Sequence, residues 1–186
     1  MARAGLDAAA VVRAAAELAD DEGLERLTLA ALAQRLGVRS PSLYAHVGGL
    51  ADLRVRVAID ASHELREVLA SAAAGRAGAD ALRAVAGAYR AWAHGHPGRY
   101  ATIGTDIASD LAARDAAAGV AEVMFAVMRG YGLEGEDAIH GTRAVRAAVH
   151  GFIELERQGG FRMDADPERT WERMLTMLDR GLRETS

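Results

Sequence analysis

Five polar side chains crowd the stretch GVRSPSLYAHV, residues 37–47: Arg39, Ser40, Ser42, Tyr44 and His46. Serine hydroxyls at the start of a helix suit close approach to phosphates and base edges, and the helix amides attract phosphate as well. An arginine can pair with a phosphate or read a guanine, and a tyrosine hydroxyl can donate to a phosphate. These residue types favour contact with nucleic acid, although a helical hairpin with solvent-exposed polar residues would have the same pattern.

Two short helices must position these side chains. The first, residues 28–36, has an apolar face, and a glycine turn leads into the second, residues 40–46. We expect Ser40 to cap the second helix, with a proline in its first turn. Leu43 and Val47 lie four residues apart, so they face the core and leave the polar residues outward. The pair predicts a helix-turn-helix, the unit that places a recognition helix in the major groove.

Composition and charge narrow the classes of function. The chain has 186 residues, 51% of them hydrophobic, so it can bury a sizeable core. It has no cysteine, which excludes disulfides and thiolate chemistry and is consistent with a cytoplasmic protein. The net charge is −4, yet residues 25–57 carry five arginines against two acidic residues, a local charge of +3. This local excess permits a phosphate-binding face, or it is an ordinary solvated surface.

Helical periodicity runs through the whole chain and predicts an all-α fold of about nine helices. Asp7 and Thr28 are expected N-caps of the first two helices. No apolar run reaches the roughly 18 residues that a membrane-spanning helix needs. Glycines 48 and 49 interrupt the chain before a long fourth helix. We therefore expect a three-helix domain over residues 1–49 and a helical-bundle domain over residues 50–186.

The order and spacing of these motifs resemble the N-terminal domain of the TetR/AcrR family of transcriptional regulators. The matching runs are AAAELADDEGLERLTLAALAQRLGV, then SPSLYAHV, then ADL at the start of a long helix. The resemblance implies a helix-turn-helix DNA-binding domain joined to a helical ligand-binding and dimerisation domain. It also implies that six residues contact operator DNA: Thr28, Arg39, Ser40, Ser42, Tyr44 and His46.

One position departs from the family pattern. Family members often carry a lysine near the start of the fourth helix, where it meets phosphate, and this chain has Leu50 there. Affinity for phosphate must then come from other groups. The amides of Gly48 and Gly49 and the side chain of Arg54 are the candidates.

Two later runs, AYRAWAHGHPGRYATI and AAVHGFIELERQGGF, resemble the subgroup with a WHG-type C-terminal domain, although Val149 stands where that name has tryptophan. Aromatic and methionine side chains at helical spacing in this half are candidates for a ligand pocket, since methionine adapts to irregular ligands. Core packing is the alternative for each of them. Few charges fall among them, so we expect an apolar or amphipathic ligand. The candidate ligand-binding residues are Tyr89, Trp92, His96, Tyr100, Ile103, Met124, Phe125, Met128 and His150.

The last two helices are expected to pair with those of a second subunit. A symmetric dimer would place two recognition helices about 34–36 Å apart, one turn of DNA. For some of the apolar residues on these two helices, packing within the chain is the alternative. The candidate interface residues are Phe152, Leu155, Trp171, Met174, Leu175 and Leu178.

No motif supports catalysis, a metal or a cofactor. GYGLEG, residues 130–135, matches G-x-G-x-x-G, but a helix rather than a strand precedes it. His94 and His96 lie two apart and share no helical face, so we expect a structural or pocket-edge role. We therefore predict a homodimeric repressor that a small molecule releases from double-stranded operator DNA. The alternatives are a regulator whose C-terminal half only dimerises, and a helical enzyme or ligand-binding protein without DNA binding.

Overall fold

The computed structural model describes residues 6–103 and 110–185, and within these ranges all regular structure is helical. This confirms the predicted all-α fold. A 3-10 turn that the sequence analysis did not predict, Leu24–Arg26, follows the first helix. The nine described helices are α1 (Ala8–Glu22), α2 (Leu29–Leu36), α3 (Ser40–Leu43), α4 (Leu50–Ala73), α5 (Gly78–Gly95), α6 (Pro97–Thr102), α7 (Leu111–Arg129), α8 (Gly135–Arg157) and α9 (Pro167–Glu184).

Local capping groups set the ends of the first helices. The Asp7 carboxylate accepts a hydrogen bond from the amide of Ala10 at 2.7 Å, and the Thr28 hydroxyl oxygen accepts one from Ala31 at 3.1 Å. Both satisfy amides that have no partner inside the helix. Gly23 ends α1 with a φ of 95°, a conformation that favours glycine. Among the described residues, no helix combines the length and the apolar character needed to cross a bilayer.

The chain divides into two compact units. The first comprises Met1–Glu64 and Gly95–Ala117, and the second comprises Leu65–His94 and Ala118–Ser186. The predicted boundary between residues 49 and 50 falls where α4 begins, and as a domain boundary it stays a prediction.

The first unit is built on an apolar core from α1, α2, α3 and the start of α4. Leu27, Leu32, Leu43 and Leu53 have no exposed surface, and Val47 is almost completely buried. Each fully buried leucine contributes roughly 1.5–3 kcal/mol relative to an exposed one. The core therefore fixes the helix that follows the glycine turn, and with it the polar residues on the opposite face.

The helix α6 completes the first unit by packing against α1. A Cβ atom added to Gly98 would lie 2.1 Å from the backbone carbon and oxygen of Ala19, so only a glycine allows this approach. The Arg99 amide donates to Asp20 Oδ1 at 2.9 Å, and Arg99 Nη1 donates to Glu64 Oε2 at 2.7 Å. These contacts join α6 to both α1 and α4.

The second unit contains a partly buried ion-pair cluster around Arg90 of α5. Its guanidinium donates to both carboxylate oxygens of Glu156 at 2.9 and 2.6 Å and to Glu168 at 2.7 Å. The same guanidinium lies 4.8 Å from the ring centre of Trp171 and 5.4 Å from that of Phe152. Arg90 therefore ties α5 to α8 and α9 by charge and by cation–π contact.

Candidate nucleic-acid interface

The recognition segment, residues 39–47, is helical but is α-helical for only one turn. Arg39, not Ser40, occupies the N-cap, so the predicted capping by Ser40 was wrong: Ser40 is already the first helical residue. The amides of Ser42, Tyr44 and His46 donate to carbonyls three residues back at 2.9, 3.3 and 2.9 Å. The α-helix ends at Leu43, earlier than predicted, and these 3-10-type bonds follow. The Val47 amide donates to the Leu43 carbonyl, four residues back, at 3.0 Å, so one further α-type turn leads to residue 47.

The recognition segment has one buried face and one open face. Leu43 is fully buried and Val47 is 3% exposed, as predicted for the side that packs on the core. On the other side, Tyr44 is 62% exposed, and Arg39 and Ser42 are exposed as well. Ser40 and His46 are half-buried at the margins. Thr28, the sixth predicted contact residue, is exposed at the start of α2, and its hydroxyl hydrogen remains able to donate to a phosphate.

The arginines of residues 25–57 are not equivalent. Arg35 Nη2 lies 2.8 Å from Asp21 and 3.5 Å from Glu17, and its hydrogen bond to Asp21 is the main reason that the pKa of its guanidinium is raised. Arg56 pairs with Asp52 at 3.0 Å. Three of the five, including Arg54, are therefore engaged within the first unit.

Arg26 and Arg39 are exposed and form no ion pair with any described residue. No described carboxylate neutralises their charge, and Arg54, whose partner is a neutral carbonyl, keeps its charge as well. Arg26 contributes to the positive charge of residues 25–57 but is not among the predicted contact residues. Its position two residues before the Thr28 N-cap could have indicated a contact residue, but it lies in a 3-10 turn that was not predicted.

The proposed substitutes for the missing lysine are largely occupied. The Gly48 amide donates to Asp52 Oδ2 at 2.7 Å, and this backbone hydrogen bond is the main reason that the pKa of Asp52 is lowered. Arg54 Nη2 donates to the Leu24 carbonyl at 3.3 Å. The Gly48 amide is therefore already engaged beside the negative charge of Asp52, whereas Arg54 keeps further N–H donors and its charge. Phosphate contact by Gly48, Gly49 or Arg54 stays a prediction.

The predicted ligand-binding residues divide between the two units. His96, Tyr100 and Ile103 belong to the first unit, and Tyr89, Trp92, Met124, Phe125, Met128 and His150 to the second. The His96 ring nitrogens lie 3.3 Å from Asp20 and 3.5 Å from Glu64, so this histidine contacts α1 and α4.

Met128, one of the predicted ligand-binding residues, is closely packed. Met128 has no exposed surface, and a Cβ added to Gly141 would lie 2.7 Å from its sulfur and 3.0 Å from Leu182. His150, in contrast, is exposed on α8. An open groove of about 340 Å³ lies nearby in the second unit, and Phe125 is the one predicted residue in its lining: Phe125, Arg129, Leu133, Glu134, Gly135, Ala138 and Ile139.

The predicted interface residues on α8 and α9 differ in burial. Phe152, Trp171 and Leu175 are 5%, 3% and 1% exposed, so their side chains pack within the chain. Leu155 is 48% exposed, and Met174 and Leu178 are half-buried. Met177, which was not predicted, is 72% exposed on α9.

Two family models match the chain. One, described as bacterial regulatory proteins of the tetR family, matches residues 11–54, which contain the recognition segment. The other, described as a tetracyclin repressor-like C-terminal domain, matches residues 82–178.

Individual relatives and solved structures are similar to the chain over most of its length. An uncharacterized HTH-type transcriptional regulator of Mycobacterium tuberculosis, Rv0681, is 40% identical over 185 residues, which cover 96% of this chain and 83% of that protein. The crystal structure of the regulatory protein SCO4313 superposes with a TM-score of 0.75 at 27% identity, covering 92% of this chain and 94% of that one. BioQ, solved with its double-stranded DNA operator, shares the fold at 23% identity, with a TM-score of 0.69 and coverage of 97% and 99%. The chain is therefore a member of the TetR family of helix-turn-helix transcriptional regulators, with an N-terminal DNA-binding domain, and is not an enzyme.

Proposed function

We propose that the protein is a cytoplasmic repressor that binds double-stranded operator DNA as a homodimer and is released by a small apolar or amphipathic molecule. The recognition segment carries this proposal. Its apolar side is locked into the core by Leu43 and Val47, while Arg39 and Tyr44 stand exposed on the other side. Such an arrangement can enter the major groove without rearrangement of the core. The full set of proposed DNA contacts is Thr28, Arg39, Ser40, Ser42, Tyr44 and His46, with Arg26 added.

Replacing two of these residues tests the DNA contacts. Arg39→Ala should weaken operator binding about tenfold, since a well-placed arginine contact is worth roughly 1–3 kcal/mol. Tyr44→Phe removes one neutral hydrogen bond and should cost about fivefold. Gel-shift titration of the full chain at one fixed salt concentration measures both.

The matched control is Arg114→Ala, which removes an exposed arginine on α7 outside the recognition segment. It should leave operator affinity unchanged. Melting temperatures should stay at the parent value for all three variants, because these side chains contribute little to the core. Parent-like DNA affinity of both Arg39→Ala and Tyr44→Phe would show that the contact residues are assigned wrongly.

We propose that the effector binds in the second unit and shifts the protein towards a conformer with lower affinity for DNA. A ligand has this effect only if it binds the two conformers with different affinity. The half-buried Phe125, which lines the open groove, supports a site on α7. Release of labelled operator by candidate compounds tests this. If Phe125→Ala keeps its DNA affinity but no longer responds to the compound, the effector site is assigned to the groove.

The second candidate is a regulator whose C-terminal half only dimerises. The close packing of Met128 against Gly141 and Leu182 favours it, because a core this dense has no room for a ligand beside that methionine. A set of compounds that stabilises the protein against heat and alters DNA binding would exclude it. A protein that binds operator but responds to none would support it.

A further inference from the structure

The strip of the recognition segment that faces directly away from the core is apolar. Pro41 and Ala45 are both exposed, and they lie four residues apart, so they share one face. At about 100° per residue, this face is roughly opposite to that of the buried Leu43 and Val47. The Val47 amide donates to the Leu43 carbonyl, four residues back, at 3.0 Å, so α-type spacing continues past Ala45.

Polar residues flank this strip on both sides. Tyr44 lies along one edge, and Ser42 and His46 lie along the other, by the same helical geometry. When a helix enters a major groove, the face opposite its core contacts comes nearest to the base edges. In this chain the nearest side chains would be a proline ring and a methyl group, with the hydrogen-bonding residues to either side.

Neither a proline ring nor an alanine methyl can donate or accept a hydrogen bond. The 5-methyl group of thymine is the one apolar feature that a base presents in the major groove, and apolar side chains read it by contact. Donors and acceptors of the other bases would lose water against this strip without gaining a partner, which carries a free-energy cost.

We propose that Pro41 and Ala45 are specificity-determining residues that select thymine through its 5-methyl group. This inference rests on the proposed operator binding. Arg39, Ser42 and Tyr44 supply phosphate and base-edge contacts on either side, while the apolar strip requires thymine at one or two positions in each half-site. Exposure of both residues means that the core does not require these side chains.

Selection of duplexes from a random DNA pool by the full chain provides the operator for the test. Each thymine of the selected site is then replaced by deoxyuridine, which keeps every hydrogen-bonding group and lacks only the methyl. One or two thymines per half-site should respond with a three- to fivefold loss of affinity, about the value of one buried methyl group. Deoxyuridine at thymines outside the selected site serves as the control.

The Ala45→Gly variant completes a double-mutant cycle. The affinity of this variant should no longer distinguish thymine from deoxyuridine at one of the sensitive positions, and Ala45→Ser should behave in the same way or prefer another base there. Circular dichroism would verify that both variants fold. Equal binding of thymine and deoxyuridine at every position, or unchanged sensitivity in Ala45→Gly, would overturn the inference while leaving operator binding intact. Failure to select any DNA would instead overturn the proposed function and this inference together.

Discussion

Identical side chains have different roles in this protein because their neighbours differ. Arg35 lies between two acidic residues of α1 and joins that helix to α2, whereas Arg39 is exposed and unpaired among the described residues. Arg90 is held by two carboxylates and two aromatic rings. Of these three arginines, only Arg39 is available to a phosphate or a base.

Glu156 gives the Arg90 cluster a pH dependence. Burial opposes ionisation of its carboxyl, yet hydrogen bonds from Arg90 and His94 hold its pKa below the ordinary 4.5. A pKa that is lower in the folded state stabilises the fold at pH values above the unfolded pKa, and this contribution disappears as the pH falls through the folded value. The ion pair should therefore be fully stabilising at neutral pH, and its contribution should be lost in acid, as the pH falls through the lowered pKa of Glu156.

The double variant Arg90→Met/Glu156→Gln should show a shallower loss of stability between about pH 5 and pH 3 than the parent, because it has no ion pair to lose. Urea unfolding at several pH values measures this. Arg90→Met alone should be the least stable at neutral pH, since it leaves a partly buried carboxylate without its main partner. Parallel pH profiles of the parent and the double variant would contradict the assignment.

The packing of α6 on α1 depends on a backbone-to-backbone contact. Gly98 approaches Ala19 so closely that a methyl group would overlap backbone atoms, which cannot move aside as a side-chain end can. The Arg99 hydrogen bonds to Asp20 and Glu64 depend on the same approach. One glycine therefore allows the whole of α6 to pack against α1.

Gly98→Ala should destabilise the protein by about 3 kcal/mol or more, the upper range for an overpacked site. Thermal unfolding measures the loss. Gly87→Ala is the matched control, since a methyl group there meets no atom within 4 Å and α5 should gain a few tenths to about 1 kcal/mol of helix stability. Equal melting temperatures for the two variants would show that the close contact does not occur in solution.

The exposed face of α8 and α9 gives the whole molecule a surface suited to a second copy. Leu155 and Met177 are exposed, and Gly151 and Gly181 leave open space above the helix backbones. Phe152, Trp171 and Leu175, in contrast, are already covered by the chain. We propose that the dimer forms through Leu155 and Met177 together with Met174 and Leu178. The buried Phe152, Trp171 and Leu175 would then hold α8 and α9 in place beneath the interface.

Met177→Glu should convert the proposed dimer into a monomer and weaken operator binding, because a charge would be buried at the proposed interface. Light scattering after size-exclusion chromatography measures the mass. Met163→Glu is the control, since that methionine is 87% exposed in the connection between α8 and α9. A dimer that tolerates both substitutions would exclude this face as the interface.

Much of the fold could be predicted from the sequence because the signals are local. The caps at Asp7 and Thr28 and the stop at Gly23 act within one helical turn, so the ends of these helices were predicted correctly. The two faces of the recognition segment followed from the four-residue spacing of Leu43 and Val47. The family resemblance rested on the same local order, and the comparisons confirm it.

The availability of individual groups could not be predicted, because it depends on partners distant in sequence. Arg54 donates to the carbonyl of Leu24, thirty residues earlier in the sequence. Gly98 packs against Ala19, which lies in a different helix far away in the sequence. Helical periodicity marks a residue such as Phe152 as apolar, but it does not say whether its own chain or another copy covers it. Chain segments far apart in sequence meet only on folding, so which arginines remain free for DNA and which apolar residues remain exposed was decided by tertiary packing.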